Sequence, residues 1–275
     1  MPPRTDEPRI LAIANQKGGV GKTTTAVNLA TALAAAGQQV LLIDLDPQGN
    51  ASTGLGLTRT ERRQGTYQLL AAGVSLAAVR RPTFVPNLSI VPADPDLTGA
   101  EIELVTQPRR EFRLRDALAA NNAADPAQAF ILLDCPPSLG LLTLNGLAAA
   151  EGVLVPLQCE FFALEGISQL LHTIDLVRRN LNPKLSLQGI VLTMYDRRNN
   201  LSELVAADAR GFFGDQVYET VIPRNIRISE APSHGKPVLL YDYRSPGAQA
   251  YVRLATELLR RERRRSTALH DRAPA

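Results

Sequence analysis

Eight consecutive residues, Lys17-Gly-Gly-Val-Gly-Lys-Thr-Thr24, bring together three glycines, two lysines and two hydroxyls. This combination suits a polyphosphate. Glycines let backbone N–H groups approach phosphate oxygens with no Cβ in the way. Within the loop, Gly18, Gly19, Val20 and Gly21 would form the cradle. Lys22 would place a positive charge on the β- and γ-phosphates, the Thr23 hydroxyl would ligate magnesium, and Thr24 would follow at the start of a helix. The common pattern G-x-x-x-x-G-K-[ST] is not met, because it would need glycine where Gln16 stands, and an additional lysine, Lys17, opens the loop instead. Lysines are scarce here: of 30 basic residues only Lys17, Lys22, Lys184 and Lys236 are not arginine. An arginine-favouring codon bias accounts for the scarcity. The presence of two of the four in this loop points to a need for compact point charges.

Carboxylates stand where such a loop needs them. Asp44 and Asp46 end the apolar run Gln39-Val-Leu-Leu-Ile-Asp44, and Asp134 ends Ala129-Phe-Ile-Leu-Leu-Asp134. Ligands of open α/β sheets bind beyond the carboxyl ends of the strands. A carboxylate there can hold a water in line with the γ-phosphorus while magnesium and lysines neutralise the developing charge. A solvated turn before Pro47 is the plain alternative for the first pair. A strand ending in aspartate is a weak sign by itself; next to the glycine loop, Asp134 reads as a magnesium ligand, acting through a water.

These residues need elements to position them. Arg9–Ala14 reads as a buried strand, Asn15–Gly21 as the loop, and Thr23–Ala36 as a helix stopped by Gly37. Further strands are expected near Leu88–Val91, Ala129–Asp134, Gly152–Pro156, Gln188–Met194 and Gln216–Val221. Helices are expected near Thr98–Ala120, Leu141–Ala149, Leu164–Asn180, Ser202–Phe213 and Ser245–Arg265. Repeated strand-then-helix order argues a doubly wound, mostly parallel α/β sheet with helices on both faces. Residues 9–265 read as a single domain, with disordered tails over 1–8 and 266–275. The glycine-, arginine- and threonine-rich stretch Gly49–Pro86 reads as irregular, with short helices or a mobile loop.

Five blocks together resemble the deviant Walker-A ATPases, and among them the ParA/Soj partitioning proteins, in that family's order. They are Asn15–Thr25, Leu42–Asn50, Leu133–Ser138, Phe162–Gly166 and Val221–Pro237, the last most like the chromosomal Soj branch. The resemblance implies ATP with Mg2+ as cofactors and slow hydrolysis stimulated by a partner. It makes Asp46 the residue that orients the attacking water and places Asp44 near the phosphates and metal. It assigns Met194, Pro223 and Asn225 to the adenine end; from its residues alone Pro223-Arg-Asn225 is only a turn. It also implies that Lys17 crosses to the other subunit's nucleotide in an ATP-dependent homodimer. Arg198 and Arg227, with Arg224 beside them, become DNA contacts, and a ParB-type centromere-binding protein becomes the stimulating partner. Only 16 residues precede Lys17, too few for a helix-turn-helix. Binding to non-specific double-stranded DNA through phosphates is therefore expected, and should weaken with salt.

Composition bounds the alternatives. The chain has 275 residues, 45% of them hydrophobic, and a formal net charge of +3, close to an ordinary globular protein; a cytoplasmic location is expected, and the resemblance implies association with the nucleoid. No stretch offers the roughly 20 clean apolar residues of a membrane span. A membrane-cycling regulator like the division-site ATPase MinD would want a bulky apolar face on its last helix, whereas this one ends Leu258-Leu-Arg-Arg-Glu-Arg-Arg-Arg. An iron–sulfur electron-transfer ATPase would use two cysteines, and Cys135 and Cys159 have no cluster-like neighbourhood. A ParA-like protein that positions another cargo shares the same chemistry.

Overall fold

The computed structural model describes residues 8–124, 128–160 and 163–270. Among these lie seven strands: β1 Arg9–Ile13, β2 Val40–Asp44, β3 Arg81–Pro82, β4 Leu88–Val91, β5 Phe130–Asp134, β6 Gly152–Gln158 and β7 Ser186–Thr193. They form one sheet in the order β3-β4-β2-β5-β1-β6-β7. All neighbours are parallel except the short β3, which pairs antiparallel with β4. The early helices are α1 Lys22–Ala35, α2 Asn50–Gly54, α3 Thr66–Leu70, α4 Leu76–Val79, α5 Leu97–Leu104 and α6 Arg113–Ala124. The later ones are α7 Leu141–Ala149, α8 Ala163–Asn180, α9 Asn200–Phe213, α10 Ile226–Glu230, α11 Val238–Tyr241 and α12 Pro246–His270. This is the doubly wound α/β sheet expected from the sequence.

The strands read as unbroken apolar runs because both sheet faces are covered. Side chains alternate between two cores. Ala12, Leu41, Ile43 and Leu133 join the core under α3–α9, while Leu11, Ile13, Val40, Leu42 and Leu132 join the core under α1, α11 and α12. β1 lies inside the sheet, between β5 and β6, so the loop that follows it emerges away from either edge strand, at the carboxyl ends of the strands. There the strand order reverses, which opens the crevice that ligands of such sheets use.

Three expectations need correction. The helix expected over Thr98–Ala120 is two helices, α5 and α6. Pro108 cannot donate a helical N–H, and Arg109 takes φ 55°, which breaks the run. The strand expected over Gln216–Val221 is not formed. This segment runs beside β7 but pairs with it only at isolated points, such as Ile190 with Val217, and a 3-10 turn occupies Gly214–Gln216. The last helix continues past Arg265 to His270. Gly49–Pro86 holds short helices and β3. Phe162 of the fourth family-like block, and residues 1–7 and 271–275 of the expected tails, lie outside the described residues.

The unformed strand has an identifiable cause. The N–H groups of Glu219 and Thr220 donate not to a neighbouring strand but to the Glu257 carboxylate on α12, both at 2.9 Å. Arg261 also donates to Glu257, at 2.8 Å, and lies over the Tyr218 ring. Burial alone would push the Glu257 carboxyl up, but these donors outweigh it and hold the group below the usual glutamate range. Glu257→Ala should therefore destabilise the fold by about 2 kcal/mol at neutral pH, since it strips two N–H groups of their acceptor. A carboxyl whose folded pKa is lowered stabilises above its unfolded pKa and loses that contribution as pH falls through the folded value. Chemical denaturation should show the gap between wild type and Glu257→Ala narrowing below pH of about 4.

Candidate active site

The glycine loop joins β1 to α1 and is tied at both ends. The Asn15 amide donates to the Pro156 carbonyl at 2.8 Å, and its oxygen accepts the Lys17 N–H at 3.0 Å. Gly19 and Gly21 have φ of 75° and 89°, conformations that side chains with a Cβ avoid. On the loop's outer side the Thr193 hydroxyl, at the end of β7, donates to the Val20 carbonyl at 2.8 Å. That bond turns the carbonyl away, which leaves the backbone N–H groups to line the cradle. The Lys22 ammonium folds back to donate to the Lys17 carbonyl at 2.8 Å. Burial lowers the Lys22 pKa, and the charges of Asp134 and Asp46 pull it back up.

Parallel register sets Asp44 directly beside Asp134, both fully buried. Their environments differ. One Asp44 oxygen accepts the Ser52 N–H and hydroxyl at 2.9 and 2.7 Å, and the other accepts the Asp46 N–H at 3.3 Å. Burial still pushes Asp44 up to about 6, against those hydrogen bonds. Among the described residues neither Asp134 oxygen has a hydrogen-bond partner; the Thr23 hydroxyl is near enough to lower its pKa but falls short of a bond. Burial, and after it the Asp44 charge, raise Asp134 well above the carboxylate range. An unpartnered buried carboxylate is costly unless a cation meets it. Thr23 and Asp134 thus fit a magnesium site, with Asp44 behind it. Asp46 sits at the rim, 9% exposed, and accepts the Gln48 N–H at 3.0 Å. Its carboxylate is the one of the three placed to meet a water.

The remaining sequence candidates fall at two places. Lys17 stands on the loop's rim, its ammonium paired with Glu160 at the end of β6. Met194 takes φ 51°, and the next residue, Tyr195, is bound through its backbone to Ile222 and Arg224. The structure therefore brings Met194 and Pro223–Asn225 together beside the loop, where the Asn225 oxygen also caps α10 by accepting the Arg227 N–H at 3.1 Å. Arg198 is 89% exposed and forks onto Asp196, holding that carboxyl down at about 2. Arg227 pairs with Glu230 and Asp242, and Arg224 lies exposed with its charge within reach of Asp196. Of the terminal arginines, Arg261 is held by carbonyls of Asp215 and Val217, so it belongs to the fold. Cys135 and Cys159 are buried in one apolar core, where burial pushes both thiols up, Cys159 to about 11. That is no setting for a cluster shared across a subunit boundary.

Glu160, Thr193 and Ser52 were not singled out from the sequence. Glu160 lies two residues past the end of β6, as Asp46 lies two past the end of β2, and that signal was there to use. Nothing local marks Thr193, whose partner Val20 lies far back along the chain, and Ser52 reaches Asp44, eight residues earlier, only once α2 has folded against β2.

A family profile described as an AAA domain matches residues 8–187. A chromosome partitioning protein ParA of Caulobacter vibrioides is 62% identical over 257 residues, covering 94% of this chain and 96% of the relative. The sporulation initiation inhibitor protein Soj of Bacillus subtilis is 52% identical, covering 91% of this chain and 98% of its own. A crystal structure from Mycobacterium smegmatis, described as a cobyrinic acid a,c-diamide synthase with bound ATP analog and magnesium, is 40% identical with a TM-score of 0.79. It covers 92% of this chain and 95% of that one. With full-length identity of this order and the glycine loop, paired aspartates and sheet order in place, the chain belongs to the ParA/Soj family of chromosome-partitioning ATPases.

Proposed function

We propose that this chain hydrolyses ATP on magnesium, and that its ATP-bound form is a face-to-face homodimer that holds double-stranded DNA without sequence preference. Hydrolysis, stimulated by a ParB-type centromere-binding protein, then releases the DNA. The observation that carries the reading is the buried Asp134 carboxylate, with no hydrogen-bond partner among the described residues, aligned in register with Asp44 beside the glycine loop. The nucleotide-bound Mycobacterium relative supports the same assignment of ATP and magnesium.

The roles divide as follows. Backbone N–H groups of residues 18–22 cradle the phosphates, and Lys22 neutralises their charge. Thr23 would hold magnesium directly and Asp134 through water; bound there, the ion neutralises charge at the β- and γ-phosphates. Asp46 orients the water for in-line attack, and Asp44, fixed by Ser52, keeps negative charge behind the metal. Lys17 leaves Glu160 to meet the partner's nucleotide, which couples ATP to dimer formation. Met194, Pro223 and Asn225 border the base. Arg198, Arg224 and Arg227 meet DNA phosphates. Exposed ion pairs such as Arg198–Asp196 contribute little to stability, so a phosphate can displace the acid. No helix among the described residues is long and apolar enough to cross a membrane, and the reading needs no membrane.

Asp46→Ala should bind ATP nearly as wild type while turnover drops at least about a hundredfold; unchanged turnover, measured as phosphate release, would remove Asp46 from the reaction. Lys17→Ala should still take up ATP by calorimetry yet give no ATP-dependent dimer in sedimentation. A dimer that forms regardless would end the crossing role. Random-sequence duplex should bind with ATP and not with ADP, more weakly as salt rises. In Arg198→Ala or Arg227→Ala, the slope of log affinity against log salt should flatten by about 1 per protomer. Nucleotide-blind binding in fluorescence anisotropy would defeat the DNA switch.

A further inference from the structure

The segment after Asp46 is too short to hold its own shape. α2 has five residues, and a helix of that length has no stability apart from its contacts. Yet this segment ties down both second-strand aspartates. The Asp46 carbonyl accepts the Gly49 N–H at 2.8 Å, and Ser52 grips the Asp44 carboxylate. Packing does not wedge α2 on every side. Asn50, Thr53 and Gly54 border a cavity of about 270 Å³, whose other walls include Thr23, Asn28 and Lys236. Ala51 and Leu55 anchor the helix in the core on its inner side, and polar ties fix its position on the other.

One side chain supplies most of them from outside. The half-buried Arg62 guanidinium donates to the Gly49 carbonyl at 2.9 Å, to the Thr53 hydroxyl at 2.7 Å, and to the Leu57 carbonyl at 2.7 and 3.1 Å. These three acceptors mark the start, the last turn and the exit of α2. Thr53 in turn donates to the Gly49 carbonyl at 3.0 Å. Gly49 itself has φ 64°, and a Cβ there would lie 2.5 Å from an Arg62 nitrogen. Arg62 is itself held in place: it ends a 3-10 turn, Arg59–Arg62, closed by Glu61 accepting the Thr58 N–H and hydroxyl at 2.7 and 2.6 Å. A planar fork with fixed donor directions suits three acceptors on different residues, which a lysine cannot satisfy at once.

We propose that Arg62 is a positioning residue for hydrolysis: by clamping α2 it fixes the turn that aims Asp46, while ATP binding does not depend on it. This rests on Asp46 orienting the water. The chemistry needs that carboxylate held within a few tenths of an ångström, and small misplacement costs far more in turnover than in ground-state affinity.

The test uses the full chain with ATP and magnesium, comparing wild type with Arg62→Ala, Arg62→Lys, Gly49→Ala and Asp46→Ala. Binding is read by calorimetry, turnover at saturating ATP by phosphate release, and folding by thermal melting. Arg62→Ala should lose roughly tenfold or more in turnover with ATP affinity within about threefold of wild type. Arg62→Lys should recover part of it, and Gly49→Ala, which displaces the guanidinium, should behave like Arg62→Ala. Full turnover in Arg62→Ala overturns the clamp, as does a joint fall of affinity, turnover and melting temperature, which would mark a structural role only. Asp46→Ala separates the two claims. If it keeps its turnover, the role of Asp46 fails; if it loses turnover while Arg62→Ala does not, only the clamp fails.

Discussion

Asp44 and Asp134 lie side by side at the ends of paired strands, both fully buried, with Asp46 and Lys22 less than a tenth exposed next to them. Three acids and one ammonium, gathered this way, do not balance. Two of the carboxyls are raised above their ordinary range and the ammonium is lowered, all mainly by burial. The rest of the site is arranged around this imbalance. Ser52 and backbone N–H groups relieve Asp44, Gln48 relieves Asp46, and Asp134 alone is left for a cation. A site of this kind is costly to the fold and useful to chemistry, since its charges are already oriented where phosphate charge must be stabilised.

Much of this could be read from the sequence. The loop and all three aspartates were marked by position alone, because a glycine run between a buried strand and a helix, and acids at strand ends, have local signatures. Six of the seven strands appeared as apolar runs; β3, with two residues, left no such trace. What failed did so for physical reasons. The expected strand at Gln216–Val221 has the right composition, but its N–H groups are captured by Glu257, some forty positions further along, and no local pattern reports that. The break inside Thr98–Ala120 was announced by Pro108 and overridden by the helical spacing around it. Gly49–Pro86 read as irregular because its order depends on side-chain-to-backbone ties such as those of Arg62, which leave no periodicity.

Family and site contribute different things. Identity of 62% over nearly the whole length fixes the architecture and the nucleotide chemistry. The surface that would meet DNA is another matter. Arg198 and Arg227 are exposed but engaged with Asp196, Glu230 and Asp242. If DNA phosphates bind there as proposed, affinity would be set by an exchange of partners between carboxylate and phosphate, so the neighbouring acids would matter as much as the arginines.

The helix that begins at Lys22 has one further consequence. Nearly every residue of α1 from Thr25 to Ala34 is buried, and it is enclosed by the sheet, α11 and α12. Thr25 contacts the Tyr251 hydroxyl, and Asn28 accepts the Val238 N–H at 2.7 Å. Close-packed interiors of this kind do not let a helix slide. α1 can therefore serve as an anvil but not as a piston. A signal of which nucleotide is bound, if the proposed switch operates, is better carried by the short segment beyond Asp46 and by the Lys17 ammonium on the rim than by this packed helix.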